Sequence, residues 1–102
     1  MIEEFERWFL DIAPVLRERG HSIEWQDAGH GIGKPSAYAQ LETPVQIARA
    51  TIWSSGECEL EALDVASGAQ LVNEHHVFKD VTRMREALDT FIQQIEAASR
   101  SS

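Results

Sequence analysis

The sequence predicts an α+β fold in which two terminal helices pack on a central antiparallel β-sheet. Apolar residues recur at steps of three and four near both ends of the chain, which is typical of amphipathic helices. Between the ends, apolar and polar residues alternate as they do in half-buried strands. The turn sequences at 54–56 and 66–69 are short, and short turns join antiparallel neighbours, whereas parallel strands need long crossovers. We therefore expect a meander with the helices on the sheet.

The first helix is predicted over residues 2–19, where apolar side chains form one face. Gly20 follows as the expected C-terminal cap. Pro14 has no N–H and its ring crowds the preceding turn, so we expect a kink or a break there. A second helix is predicted over residues 81–97, with Asp80 as its N-cap.

Five strands are predicted between the helices, over residues 21–27, 36–42, 45–53, 57–65 and 70–78. In the fourth strand, Leu63 and Val65 are out of phase with the preceding alternation, and a bulge near residues 62–64 would reconcile them. Trp53, which stands beside a turn, is expected to lie in the core.

The composition limits the class of protein. The 102 residues include 17 Asp and Glu against 9 Lys and Arg, and a formal net charge of −8 disfavours binding to a nucleic-acid backbone. No apolar run has the length of a membrane span, and the acidic N-terminus is unlike a signal peptide. The single cysteine, Cys58, allows no internal disulfide. We expect one cytoplasmic domain at residues 1–98, a frayed polar tail at 99–102, and a basic protein partner.

The glycine-rich segment at residues 29–36, GHGIGKPS, is superficially similar to a phosphate-binding loop. Ala28 stands where that motif needs its first glycine, and Pro35 stands where it needs a hydroxyl. Proline also removes a backbone donor and blocks the helix that would hold the phosphate. We therefore predict an exposed loop that can contact a partner, not a nucleotide site.

The residues suited to metal binding or nucleophilic catalysis are not arranged for either. His75 and His76 are adjacent, so on a strand they point to opposite faces and cannot bind one metal together. Glu74 could share a face with His76, but a zinc site needs three or four ligands. Cys58 stands between two glutamates, which oppose thiolate formation, and it is expected to point into the core. No catalytic residue, metal or cofactor is predicted.

Three glutamates form a stripe on the fourth strand. Their spacing of two residues places all three on one face of the sheet, which is the face opposite Cys58, Leu60 and Ala62. Equivalent exposed carboxylates are unlike a catalytic pair, whose members need different environments. The stripe is either a solvated outer face or a docking surface for a cationic groove. Its members are Glu57, Glu59 and Glu61.

The segment Thr51–Asp64 (TIWSSGECELEALD), followed by Ala66–Ala69 (ASGA), by Asn73–His76 (NEHH) and by an amphipathic helix, resembles the TriTu family of bacterial immunity proteins. The likeness extends to the opening helix with Phe5, Trp8 and Phe9. The resemblance implies a non-enzymatic inhibitor without a cofactor. It also implies a partner, the ADP-ribosyltransferase domain of a polymorphic toxin of the Rhs type, which is linked to type VI secretion and modifies elongation factor Tu. The inhibitor would bind this domain in the cytoplasm and keep NAD or the target out of its cleft.

The charge pattern is compatible with this partner. A cleft that binds the anionic pyrophosphate of NAD is expected to be positive, and an acidic protein is attracted to it. We expect a monomer that forms a one-to-one complex with the toxin domain. The predicted partner-binding residues belong to the stripe, to the glycine-rich loop and to the strand before it: Glu57, Glu59, Glu61, His30, Lys34 and Trp25.

Two alternatives remain open from the sequence. A small acidic secretion chaperone would also bind a protein without catalysis, and such chaperones are usually homodimers. A small enzyme or ligand-binding domain could instead use the region around His75 and His76, which would require a deep pocket with convergent polar groups.

Overall fold

The computed structural model describes residues 1–28 and 35–100, apart from the side chains of Ala28 and Arg100. The five strands form one antiparallel sheet in the order β1-β2-β3-β4-β5, with a helix before and after it. The predicted α+β fold with a meander is therefore confirmed. The elements are α1 (Ile2–Glu18), β1 (Ser22–Ala28), β2 (Ser36–Glu42), β3 (Gln46–Trp53), β4 (Glu57–Asp64), β5 (Gln70–Val77) and α2 (Val81–Arg100).

Both helices pack on the same face of the sheet, because only that face is lined with apolar side chains. α1 lies over β1 to β3, and α2 packs most closely over β3. The sheet contributes small side chains at the contact, five of them buried alanines on β2, β3 and β4, so that the bulky helix side chains can interdigitate with it. Neither helix has a stretch long and apolar enough to cross a membrane. The fully buried helix residues are Phe5, Leu16, Met84, Leu88 and Ile95.

The end of α1 follows the predicted signal. Gly20 has a positive φ of 87°, its N–H donates to the carbonyl of Arg17 at 3.0 Å, and the N–H of His21 donates to that of Leu16 at 3.0 Å. These two bonds are the Schellman arrangement, which glycine permits because it has no Cβ. Of the kink or break expected at Pro14, the break does not occur, since α1 continues through this exposed position.

α2 begins where the sequence predicts and ends later than predicted. Asp80 is the N-cap, since its Oδ1 accepts the N–H of Arg83 at 2.8 Å. The helix extends beyond the predicted end at residue 97 and includes Ser99, whose hydroxyl donates to the carbonyl of Ile95 at 3.1 Å. Within the predicted tail, residues 101–102 lie outside the described residues.

The predicted burial of Trp53 in the core is wrong. Ile52 points to the helices and is fully buried, and successive strand residues point to opposite faces. Trp53 therefore lies on the outer face of the sheet, opposite Ser36, and is only half-buried. The indole of Trp8 is the buried one, and its Nε1 donates to Asp89 Oδ1 at 2.8 Å, which links the two helices.

The bulge expected near residues 62–64 is present in the pairing of β4 with β5. Ala62 pairs with Val72 and Leu63 pairs with Gln70, so the extra residue is Leu71 of β5. The bulge does not turn Leu63 inward, because the pairing of β4 with β3 stays continuous at this point. Leu63 is therefore exposed on the outer face.

The turn between β3 and β4 depends on a glycine. Gly56 has a φ of 94°, its N–H donates to the carbonyl of Trp53, and its carbonyl accepts the N–H of Phe78, each at 2.9 Å. A Cβ at this position would lie 2.2 Å from the carbonyl oxygen of Phe78. Both the positive φ and the close approach of backbone therefore require glycine.

Replacing Gly56 by Ala is expected to lower the free energy of unfolding more than replacing Gly68 by Ala. Both glycines have a positive φ, which costs an L-residue about 1–2 kcal/mol. Only Gly56 also meets neighbouring backbone, and such overpacking costs about 1–3 kcal/mol more. Urea denaturation of the two variants measures the difference. Equal losses would contradict the steric argument.

Candidate functional site

The glutamate stripe, which consists of Glu57, Glu59 and Glu61 on β4, lies on the face of the sheet that the helices do not cover. The residues between them are buried under the helices, which confirms the alternation expected from the sequence. The register places Glu59 beside Thr51 and Glu61 beside Arg49. On this outer face Glu61 is exposed, and Glu57 and Glu59 are half-buried.

Further carboxylates extend the stripe into an acidic face. Glu24 of β1 pairs with Gln40 of β2, and Glu42 ends β2, which places both on the same outer face by strand alternation. Mutual repulsion of exposed carboxylates is screened by water, so the cost to folding is small. The acidic face comprises Glu24, Glu42, Glu57, Glu59 and Glu61.

Arg49 is the one Lys or Arg on this face among the described strand residues, and it is directed away from the stripe. Its Nε and Nη2 donate to Gln40 Oε1 at 3.2 and 2.7 Å, and its guanidinium lies over the ring of Tyr38, 4.2 Å from the centroid. Within the described part of the chain it makes no ion pair with Glu61 inside 4 Å. The negative potential of the stripe is therefore not cancelled by its cross-strand cation.

An apolar pair lies beside the stripe. Ile47 and Leu63 are cross-strand partners on β3 and β4, with 39 % and 43 % of their surface exposed. They line a shallow depression together with Gln40, Arg49 and Glu61. An apolar contact bordered by charge is the usual composition of a protein interface.

The other predicted contact residues do not join the stripe in the described structure. Trp25 lies on the helix-covered face, where its ring centroid is 4.9 Å from that of Phe5 and 5.4 Å from that of Phe9. The sheet therefore separates Trp25 from the glutamates. His30 and Lys34 lie outside the described residues.

The two adjacent histidines point to opposite faces, as their position on a strand requires. His75 lies on the outer face, where its Nδ1 is 4.0 Å from Glu59 Oε1. His76 lies on the helix-facing side, 2.9 Å from Glu74 Oε1, and is stacked on the ring of Phe78. Among residues 1–28 and 35–100, no three His, Cys, Asp or Glu side chains are placed to hold a metal ion.

A groove between β5 and α2 was not expected from the sequence. It is open because α2 lies over β3, and none of the residues of β5 is buried. One feature of the sequence is consistent with this groove: β5 (QLVNEHHV) is polar, and neither of its faces is apolar enough to be covered by a helix. The groove is lined by Leu60, Glu74, His76, Phe78, Arg83, Glu86, Ala87, Thr90, Phe91 and Gln94.

Cys58 is fully buried and is not set up as a nucleophile. Burial, together with the negative charges of Glu59 and Glu74, raises the pKa of its thiol to about 12. The thiolate is the reactive form, so this cysteine stays inert near neutral pH.

The family model described as immunity protein TriTu matches residues 3–94 of the chain. The match spans all five strands, including the glutamate stripe, and most of both helices. A search of curated proteins found no match.

We predict that Cys58 reacts with a thiol reagent only after unfolding. At pH 8 the native protein should label very slowly, and the protein in urea should label at the rate of an exposed cysteine. The unfolded thiol ionises near pH 9 and the folded one near pH 12, so the free energy of unfolding should fall as the pH rises between these values. In Cys58→Ala this contribution should disappear. Rapid labelling of the native protein would contradict the assignment.

Proposed function

The chain belongs to the TriTu family of immunity proteins, and on that premise we propose that it neutralises a cognate bacterial toxin by stoichiometric binding, without catalysis of its own. The family match over residues 3–94 carries this proposal. The likeness of Thr51–Asp64 and of the terminal helices to the family supports the finer proposal. In it, the toxin is an ADP-ribosyltransferase that acts on elongation factor Tu, and the protein binds it in the cytoplasm.

The electrostatics of the acidic face support a cationic partner. An ADP-ribosyltransferase must bind the two phosphates of NAD, and a cleft for phosphates carries positive potential. Negative charge concentrated on one uncovered surface orients the approach of such a partner and raises the association rate. We propose that the stripe of Glu57, Glu59 and Glu61 contacts the rim of this cleft and that the bound protein excludes NAD or the target.

The glycine-rich loop at residues 29–36 is the second element of the proposed contact. It joins β1 to β2 and contributes His30 and Lys34. Trp25 is packed against α1 on the other side of the sheet, so the contact with the stripe is proposed without it.

Co-expression followed by titration tests the function. Cells that express a candidate ADP-ribosyltransferase toxin domain should grow when this chain is co-expressed. In vitro, NAD consumption should fall to zero near one protein per toxin domain. Inhibition at far lower ratios would contradict stoichiometric binding and indicate catalysis. A stable homodimer by native mass spectrometry that binds the toxin domain without inhibiting it would instead favour a secretion chaperone.

Reversing the stripe charges is expected to slow association with the toxin domain. In the variant Glu57→Lys/Glu59→Lys/Glu61→Lys, we expect the association rate constant to fall on the order of tenfold or more at low salt. Its dependence on salt concentration should become flatter, because the steering charges are gone. Stopped-flow mixing over a range of ionic strength measures both quantities.

The matched control reverses three exposed glutamates of α1, in Glu3→Lys/Glu6→Lys/Glu18→Lys. Both triple variants raise the formal charge by 6, from −8 to −2, so any difference between them reports the location of the charge. Circular dichroism verifies that each variant is folded. If the two variants slow association equally, the stripe is only a solvated face.

A further inference from the structure

β5 forms one border of the sheet, and part of its backbone has no strand to pair with. The N–H of Phe78, next after β5, donates to the carbonyl of Gly56. In an antiparallel ladder, consecutive residues direct their N–H and C=O groups alternately to the two sides. Residues 72, 74 and 76 therefore bond to β4, and the alternate residues direct their backbone groups to the open edge. These are Asn73, His75 and Val77.

The opposite border of the sheet, β1, is protected by side chains. Arg17 Nη2 donates to the carbonyl of Ile23 at 2.9 Å, and Gln26 Nε2 donates to the carbonyl of Asp27 at 3.0 Å. Among the described residues, no side chain bonds to the outward backbone groups of β5 in this way. Native proteins commonly block exposed edges. An open edge in a sheet whose other edge is protected therefore indicates a place where another chain binds.

The helix-facing side of β5 is also accessible. A strand added next to β5 would direct every second side chain to the groove between β5 and α2. The aromatic rings of Phe78 and Phe91 line this groove, and they suit the aliphatic stem of a long side chain. Its polar lining includes the carboxylates of Glu74 and Glu86, the guanidinium of Arg83 and the imidazole of His76.

We propose that the open edge of β5 pairs with an extended segment of the toxin domain, which adds a sixth strand to the sheet. This inference rests on the proposed function, because it takes the toxin as the occupant. Carboxylates outnumber guanidinium groups in the groove, so the segment carries Lys or Arg at alternate positions. A second copy of this chain is the wrong occupant, because each copy has a net charge of −8.

Residue-resolved hydrogen exchange tests the pairing directly. In the free protein, the amides of Asn73, His75 and Val77 should exchange rapidly, whereas those of residues 72, 74 and 76 should be protected by β4. In the complex with the toxin domain captured by co-expression, the three outward amides should slow by on the order of tenfold or more. This alternating gain distinguishes strand pairing from docking of side chains alone.

Proline substitution supplies a matched pair of variants. His75→Pro removes an outward N–H without breaking a bond to β4, a placement that edge strands tolerate. His75→Ala removes the same side chain and keeps the N–H. We expect the proline variant to bind the toxin domain about tenfold or more weakly than the alanine variant, because it loses a backbone hydrogen bond and blocks the approach of a strand. Asn73→Pro against Asn73→Ala repeats the test at a second position.

The outcomes separate this inference from the proposed function. Inhibition near one-to-one with no alternating protection, and with equal binding of the proline and alanine variants, would overturn the inference and leave the proposed function standing. Protection of the outward amides that appears in the protein alone and grows with its concentration would identify a second copy as the occupant, which also overturns it. Failure of every candidate toxin domain to bind would contradict the proposed function itself.

Discussion

Two helices, of 17 and 20 residues, can cover only one face of a five-stranded sheet, and this limit determines which surfaces the protein presents. The covered face is built from small strand residues such as Ala48 and Ala50, and the helix residues Phe5 and Leu88 are fully buried in the same core. The uncovered face must be compatible with water, and β4 meets this requirement with glutamates. Because α2 lies over β3 and not over β5, the groove beside β5 on the covered side also stays open. The acidic face and the groove are thus two results of the same packing.

Among the described strand residues, one Lys or Arg lies on the acidic face, and it is held away from the stripe. Arg49 could have reached Glu61 across the strand pair, but Gln40 and the ring of Tyr38 hold the guanidinium on the β2 side. A surface ion pair would have contributed at most about 1 kcal/mol, so little stability is lost. The result is that Arg49 does not neutralise the carboxylate of Glu61, which affects association more than folding. Electrostatics therefore favour a role in recognition, and stability is supplied from the other face of the sheet.

The period-two alternation of β4 was sufficient to predict the stripe, and the Asp80 and Gly20 signals were sufficient to place two helix ends. The position of Trp53 also follows from alternation, since the inward direction of Ile52 excludes its neighbour from the core whatever the apolar character of the indole. The lateral position of α2 could not be predicted. It depends on how packed side chains fit together, which no periodicity records, and the groove follows from that position. Trp25 shares the face of the buried Ile23 by alternation, whereas its contact with α1 depends on where this helix crosses β1.

The two edges of the sheet show that the negative net charge can do more than attract a cationic partner. An edge strand without a protecting side chain, bulge or proline along its length invites pairing with any extended chain, including another copy. The bulge at Leu71 protects only the first part of β5, whereas Arg17 and Gln26 cap carbonyls along β1. Identical copies with a charge of −8 repel each other before their edges can meet, and a cationic segment is attracted over the same distance. Net charge can therefore provide at β5 the selectivity that side-chain caps provide at β1: it keeps the edge open and restricts which chains can reach it.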